Sequence, residues 1–115
     1  MSSNLRVATR AESAAPVIEL HGDLSADGEA LVKGAYAAAV ASGRGAVLFD
    51  LSHTAYINTA GISVLIAVVM EAKKTGVTVL VAGASPHYKK VFDLVRFSSF
   101  VSMFDDEATA LASLE

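Results

Sequence analysis

The sequence has no cysteine, which excludes disulfides and thiolate metal sites together. Its three histidines, His21, His53 and His87, lack the spacing of a metal-binding motif. No serine stands in the Gly-x-Ser-x-Gly context of a hydrolase elbow. Neither Ser42-Gly43-Arg44-Gly45 nor the stretch from Gly83 to Lys90 fits a phosphate-binding loop, which needs Gly-x-x-x-x-Gly-Lys followed by Ser or Thr. Asp23, Asp50 and Thr59 can in principle surround a metal or a phosphate, but no motif marks them. The expectation is therefore a protein that is not an enzyme and needs no cofactor or metal.

Basic residues are also scarce. Nine Lys and Arg stand against twelve Asp and Glu, for a net charge of −3, and no stretch is strongly basic. Neutralising phosphates takes Lys and Arg clustered on one face, so nucleic acid is not an expected partner. The longest apolar run, Val64 to Met70, is far short of the ~20 residues that span a bilayer, so no direct membrane insertion is expected. The opening MSSNLRVATRAES lacks the apolar stretch of a secretory signal. A soluble, cytoplasmic protein follows as the expectation.

What is present is apolar: 53% of the 115 residues. A chain of this length reads as one domain over residues 1–115, hiding roughly two-thirds of its unfolded surface. No internal repeat, low-complexity tract or linker interrupts it. Leu5 to Arg10 alternates apolar and polar residues, and Pro16 to His21 sets Val17, Glu19 and His21 opposite Ile18 and Leu20. The two predict an antiparallel hairpin turning through Ala11 to Ala15, with Gly22-Asp23 closing the second strand. Ser25 is a candidate cap for a helix with Asp27 and Glu29 in its first turn. In that helix Leu31, Ala35 and Ala38 share one face, with Val32, Tyr36 and Ala39 beside it, and Gly43 and Gly45 end it. Within a strand from Ala46 to Leu51, Ala46 to Phe49 is apolar on both faces, and Val77 to Ala82 reads as a second such strand, as in parallel strands covered above and below. Ser85-Pro86 starts a helix carrying Tyr88, Val91, Phe92 and Val95. Phe100 to Phe104 reads as a short edge strand, and Asp105-Asp106-Glu107 opens a last helix with Ala108, Leu111 and Ala112.

The order β-β-α-β-α-β-α-β-α predicts an α/β fold: a mixed, mostly parallel sheet of four to five strands, an N-terminal antiparallel hairpin and about four helices. Sites in such sheets gather where strands end and helices begin. The polar turn His53 to Thr59 lies at such an end, as do Asp23 and the loop from Gly83 to Ser85. It leads into an unusually apolar helix starting near Ala60, which Gly76 stops. Asn58 or Thr59 can cap that helix. Gly61 clears its first turn so that another molecule can approach the backbone. Ile62, Leu65, Ile66 and Val69 are expected to face the sheet. Ser63, Ala67, Met70 and Lys74, flanked by Val64 and Val68, lie opposite. On spacing alone, Thr59 is a plain cap, Ser63 is solvated, and Ala60 and Gly61 are packing choices.

Asp50-Leu51-Ser52, Ile57 to Ile62 and the long apolar helix resemble the signature of the STAS domain. More narrowly, the chain is similar to bacterial anti-sigma factor antagonists. The resemblance extends through Gly22-Asp23, Gly76, Val79 to Gly83, Phe92-Asp93-Leu94 and Asp105 to Ala108. In that family the turn reads Asp-Ser-Ser/Thr/Ala-Gly, and the residue after Asp is phosphorylated. The resemblance therefore implies Thr59 as phosphoacceptor, with Asn58 replacing the usual Asp. It implies that Asp23 helps to contact the kinase, and that Asn58, Ala60, Gly61, Ser63 and Ala67 belong to the partner-binding surface. The implied partners are an anti-sigma factor with Ser/Thr kinase activity and a Ser/Thr phosphatase. A second implied role is that of a STAS accessory subunit of a bacterial lipid-transport ABC complex, since some such subunits share Thr, a small residue and Gly at this turn.

Overall fold

The structure is a computed structural model, and it describes residues 5–12 and 14–115. Its elements are β1 (Arg6–Ala11), β2 (Pro16–Leu24), a 3-10 turn over Ala26–Gly28, α1 (Glu29–Val40), β3 (Ala46–Asp50) and β4 (Thr54–Ile57). Then come α2 (Thr59–Thr75), β5 (Thr78–Ala82), α3 (Pro86–Leu94), a 3-10 turn over Phe97–Ser99, β6 (Ser102–Phe104) and α4 (Glu107–Ala112). The sheet runs β1-β2-β3-β5-β6, and β4 pairs with β2 off that path. The hairpin is antiparallel, in register from Arg6 opposite His21 to Ala11 opposite Pro16, and the other pairings are parallel. This is the expected mixed sheet with four helices. Ser13, in the turn expected from Ala11 to Ala15, lies outside the described residues, as do residues 1–4.

The apolar runs are double-sided because both faces of the sheet are covered. Ile18, Leu20, Val47, Phe49, Val79 and Val81 pack under α1, α2 and α3. The alternate residues Val17, Leu48, Leu80 and Ala82 pack on the other face against Ala110 of α4, with Leu111 and Leu114 beside it. In α1 it is Val32, Tyr36 and Ala39 that go inside, while Leu31 stays 47% exposed. Ser25 makes no side-chain cap, because a 3-10 turn intervenes before α1. In α2 the buried line is Gly61, Val64, Leu65, Val68, Val69 and Ala72. Val64 and Val68, expected on the flanks, are therefore buried, and Ile62 and Ile66 are only half-buried. The cause is α1, which lies alongside α2 and adds a second surface to cover.

Two expected boundaries move. Val95 falls just beyond α3, and β6 begins only at Ser102, since a 3-10 turn occupies Phe97–Ser99. The larger change is β4, which replaces most of the polar turn expected from His53 to Thr59. Strand β2 does not close at Gly22-Asp23 but continues past the end of β3. A bulge between Gly22 and Asp23 lets Gly22, Asp23 and Leu24 pair with Thr54, Tyr56 and Ile57. Thus β3 and β4 run along β2 as one strand broken at Leu51 to His53.

Candidate functional site

The end of β4 delivers the chain into α2. Asn58 is extended, with φ −85° and ψ −179°, and its side-chain oxygen accepts from the Gly61 amide at 2.8 Å. Its main-chain carbonyl accepts from the Ile62 amide at 2.9 Å. Asn58 is therefore the cap, and Thr59 is the first helical residue. Freed from capping, the Thr59 side chain is exposed.

The backbone beneath this hydroxyl is held from several sides. The Asn58 amide donates to the Leu24 carbonyl at 3.2 Å, joining the helix start to the end of β2. The Ile57 amide donates to the Tyr88 hydroxyl at 2.7 Å, and that hydroxyl donates to the Ile57 carbonyl at 3.3 Å. Gly61 faces inward. A Cβ there would lie 2.8 Å from the Leu24 carbonyl carbon and closer still to its oxygen. Its lack of a side chain serves close packing of α2 on β2, which corrects the expectation of an opening for a visiting molecule. Tyr88 is the residue that sequence reasoning missed. Ser85, which accepts from the Tyr88 amide, and Pro86 fix the start of α3 and so aim Tyr88. That capping signal was readable in the sequence; the reach of the hydroxyl back to Ile57 was not.

Thr59, Ser63 and Ala67 are all exposed and follow one another at four-residue spacing along α2. The Ser63 hydroxyl donates to the Thr59 carbonyl at 3.2 Å. Ala60, Ser63 and Val64 of α2, with Ala26 of the 3-10 turn and Glu29 at the start of α1, line a shallow depression of about 270 Å³. Ala67 instead borders a separate cavity between α1 and α2. Asp23 is half-buried at the end of β2, opposite Tyr56. The first turn of α2 has no acidic residue, and its own lysines, Lys73 and Lys74, sit in its last turn, about 20 Å away at 1.5 Å per residue. Asp27 and Glu29 lie on the segment that packs beside α2, and Glu29 accepts from Lys33 at 2.6 Å.

Asp50 belongs elsewhere. The residue is only 8% exposed, and its carboxylate accepts from the Ser52 amide at 2.9 Å and the Ser52 hydroxyl at 2.7 Å. Burial pushes its pKa up, but the bonds from Ser52, with help from Glu107 and His53, outweigh that and hold it below the usual range. Glu107, at the start of α4, is raised by burial and by its contact with Asp50, against the pull of Arg10. Carboxylate oxygens of Glu19, Asp50 and Glu107 lie within 4.8 Å of one another. The countercharge there is a side chain: Arg10 bonds Glu107 and approaches Glu19 at 3.4 Å. This cluster fastens α4 to the sheet and is not part of the Thr59 surface.

Residues 7–102 match the family model described as Mlab, STAS domain. The chain belongs to the STAS family. Solved structures agree with this STAS assignment in fold. An anti-sigma factor antagonist from Mycobacterium paratuberculosis superposes with a TM-score of 0.83 at 17% identity, over 99% of this chain and 98% of that one. The anti-sigma factor antagonist SpoIIAA in its unphosphorylated form gives 0.72 at 14% identity, over 94% and 96%. The Bacillus cell fate determinant SpoIIAA in its phosphorylated form gives 0.74 at 15% identity, over 96% and 100%. No curated protein matches this STAS chain. Among its described residues no helix is long and apolar enough to cross a membrane.

Proposed function

We propose that this STAS protein is an anti-sigma factor antagonist in a partner-switching pathway. Unmodified, it binds an anti-sigma factor with Ser/Thr kinase activity and so frees a sigma factor. Phosphorylation of Thr59 ends the binding, and a Ser/Thr phosphatase restores it. The observation that carries this reading is the exposed Thr59 hydroxyl on the first residue of α2, released from capping by Asn58. The likeness in fold to SpoIIAA in both of its forms supports it. In this reading Asp23, Asn58, Ala60, Ser63 and Ala67 shape the docking face, Gly61 supports it from beneath, and the role is binding in the cytoplasm rather than catalysis.

The switch follows from where the charge is added. Phosphate brings about −1.5 to −2 charges. A helix N-terminus tolerates an anion and favours it by roughly 0.3–1 kcal/mol, so the domain stays folded. A partner docked over the same spot would have to bury or repel a dianion, at several kcal/mol. About 3 kcal/mol already exceeds a hundredfold in affinity. The test is incubation with candidate kinases and ATP, then mapping by mass spectrometry. Wild type is labelled on Thr59 and Thr59→Ala is not; equal labelling of both overturns the proposal.

A second reading is the other role that the STAS resemblance implies, an accessory subunit of a lipid-transport ABC complex. Co-purification with an ATPase and a permease, unaffected by Thr59→Glu, would decide for it.

A further inference from the structure

Helix α4 is the most lightly anchored helix of the fold. It has six residues, of which only Ala110 is buried. A helix so short does not hold its shape alone, so α4 depends on what it docks against. Its apolar footing is the far face of the sheet, Val17, Leu48, Leu80 and Ala82, with Leu111 and Leu114 half-buried at the edge. Its polar footing is Glu107, which places a carboxylate oxygen within 4.8 Å of oxygens of Glu19 and Asp50.

The charges at that footing do not balance. Carboxylates come from β2 (Glu19), β3 (Asp50) and α4 (Glu107), and Glu12, just past β1, stands 3.7 Å from Arg10. Among the described residues Arg10 of β1 is the cation paired with them: it bonds Glu107 and lies 3.4 Å from Glu19. Arg6 stands farther along β1, opposite His21. His21 lies 2.9 Å from Glu19, and His53 stacks on it with ring centroids 4.6 Å apart; both add positive charge only when protonated. Lys89 of α3 pairs with Asp105, ahead of α4, and Asp106 accepts from the Thr109 amide on the exposed side. From β5 and β6 the helix meets Leu80, Ala82 and Phe104, which carry no charge. Carboxylates this close repel when all are ionised, and a proton held between two of them relieves the repulsion. Asp50 accepts twice from Ser52, which favours its charged form, so the proton belongs on Glu107. We propose that α4 is latched to the sheet by one proton on Glu107, shared with Asp50, and that the helix opens locally as rising pH gives that proton up to solvent.

The sign follows from the two groups. Docked, Glu107 holds its proton above the ordinary glutamate range, through burial and then its contact with Asp50. Undocked, it returns to that range. Docking therefore has this support in full below about pH 4.3 and loses it as pH climbs through the docked value. Asp50, which burial raises but Ser52 holds low, is ionised throughout that window. Helix α4 covers the face of the sheet opposite α2, so the latch does not depend on the switching reading.

Amide hydrogen exchange on the full-length protein at pH 4.5 and pH 7.5, corrected for the intrinsic rate at each pH, tests the latch. Protection at Ala110 and Ser113, whose amides bond back to Asp106 and Thr109, falls about threefold or more as pH rises. At both pH values it stays below that at Val81 in β5, which marks opening without global unfolding. Glu107→Gln keeps a donor toward Asp50 and an acceptor for Arg10 at every pH, so its α4 is as protected at pH 7.5 as at pH 4.5. A double variant, His21→Gln with His53→Gln, keeps the wild-type fall, which separates the latch from the stacked imidazoles. The proposal is overturned if wild-type protection in α4 does not fall with pH, or if it equals that of Val81. It is equally overturned if Glu107→Gln shows the same fall, or if the histidine variant abolishes it.

Discussion

The Tyr88 hydroxyl and the Ile57 backbone hold each other in both directions, accepting from the amide at 2.7 Å and donating to the carbonyl at 3.3 Å. The contact joins α3 to the residue just before the α2 cap, so one phenol ties the start of α2 to α3. Tyr88→Phe keeps the ring against Phe92, at 6.3 Å between centroids, but leaves a buried amide unpaired. A loss of about 1–3 kcal/mol is expected in urea unfolding, with faster hydrogen exchange at Ile57. Unchanged stability and exchange would mean that the clamp does not hold.

Gly61 tolerates no side chain. The atoms in the way of a Cβ belong to the Leu24 backbone and to the Ile57 side chain at 3.0 Å. Backbone cannot swing aside as a side-chain end can. Gly61→Ala should therefore destabilise by at least the 1–3 kcal/mol usual for overpacking, although alanine is the better helix former. A thermal melt at or above the wild-type midpoint would refute this.

Asn58 and Thr59 should respond differently to mutation. Asn58→Ala removes the acceptor for the Gly61 amide and should cost about 1 kcal/mol, while Asn58→Asp restores most of it. Thr59→Ala, at an exposed position that caps nothing, should stay within about 0.5 kcal/mol of wild type. Denaturant midpoints of the three variants check the ordering.

Asp50 and Glu107 pull stability in opposite directions with pH. Asp50 is held below its usual range, so its contribution is present above its unfolded pKa and is lost as pH falls through the folded value. That places the loss below about pH 4. Glu107 is raised, so its contribution is complete below its unfolded pKa and fades as pH climbs through the folded value, above about pH 4.3. Urea unfolding between pH 3 and 7 should show a shallower acid limb in Asp50→Asn. Glu107→Gln should gain on wild type as pH rises; parallel curves for all three proteins would contradict the coupling.

Much of this was readable in the sequence because single local signals sufficed. Ser85-Pro86 marks the start of α3, and the runs at β3 and β5 are apolar on both sides because both sides are covered. Other features depend on partners distant in sequence. Strand β4 has two exposed residues in the middle and no alternation, and exists because β2 runs on to Leu24. Asn58 and Thr59 are equally good caps in isolation, and the bond from the Asn58 amide to Leu24 helps to decide between them. A glycine looks the same in sequence whether the space beside it is empty, as at Gly34, or filled, as at Gly61. Tyr36 was legible as part of a helical face, but its near-complete burial only emerges once α2 lies alongside.

The division of labour between Asn58 and Thr59 has an evolutionary corollary. Since one side chain anchors the helix and its neighbour is merely displayed, a change in codon 59 leaves the scaffold standing. If the proposed switch operates, a lineage can convert a reversible messenger into a permanently committed one in a single step, with no penalty in folding to select against it.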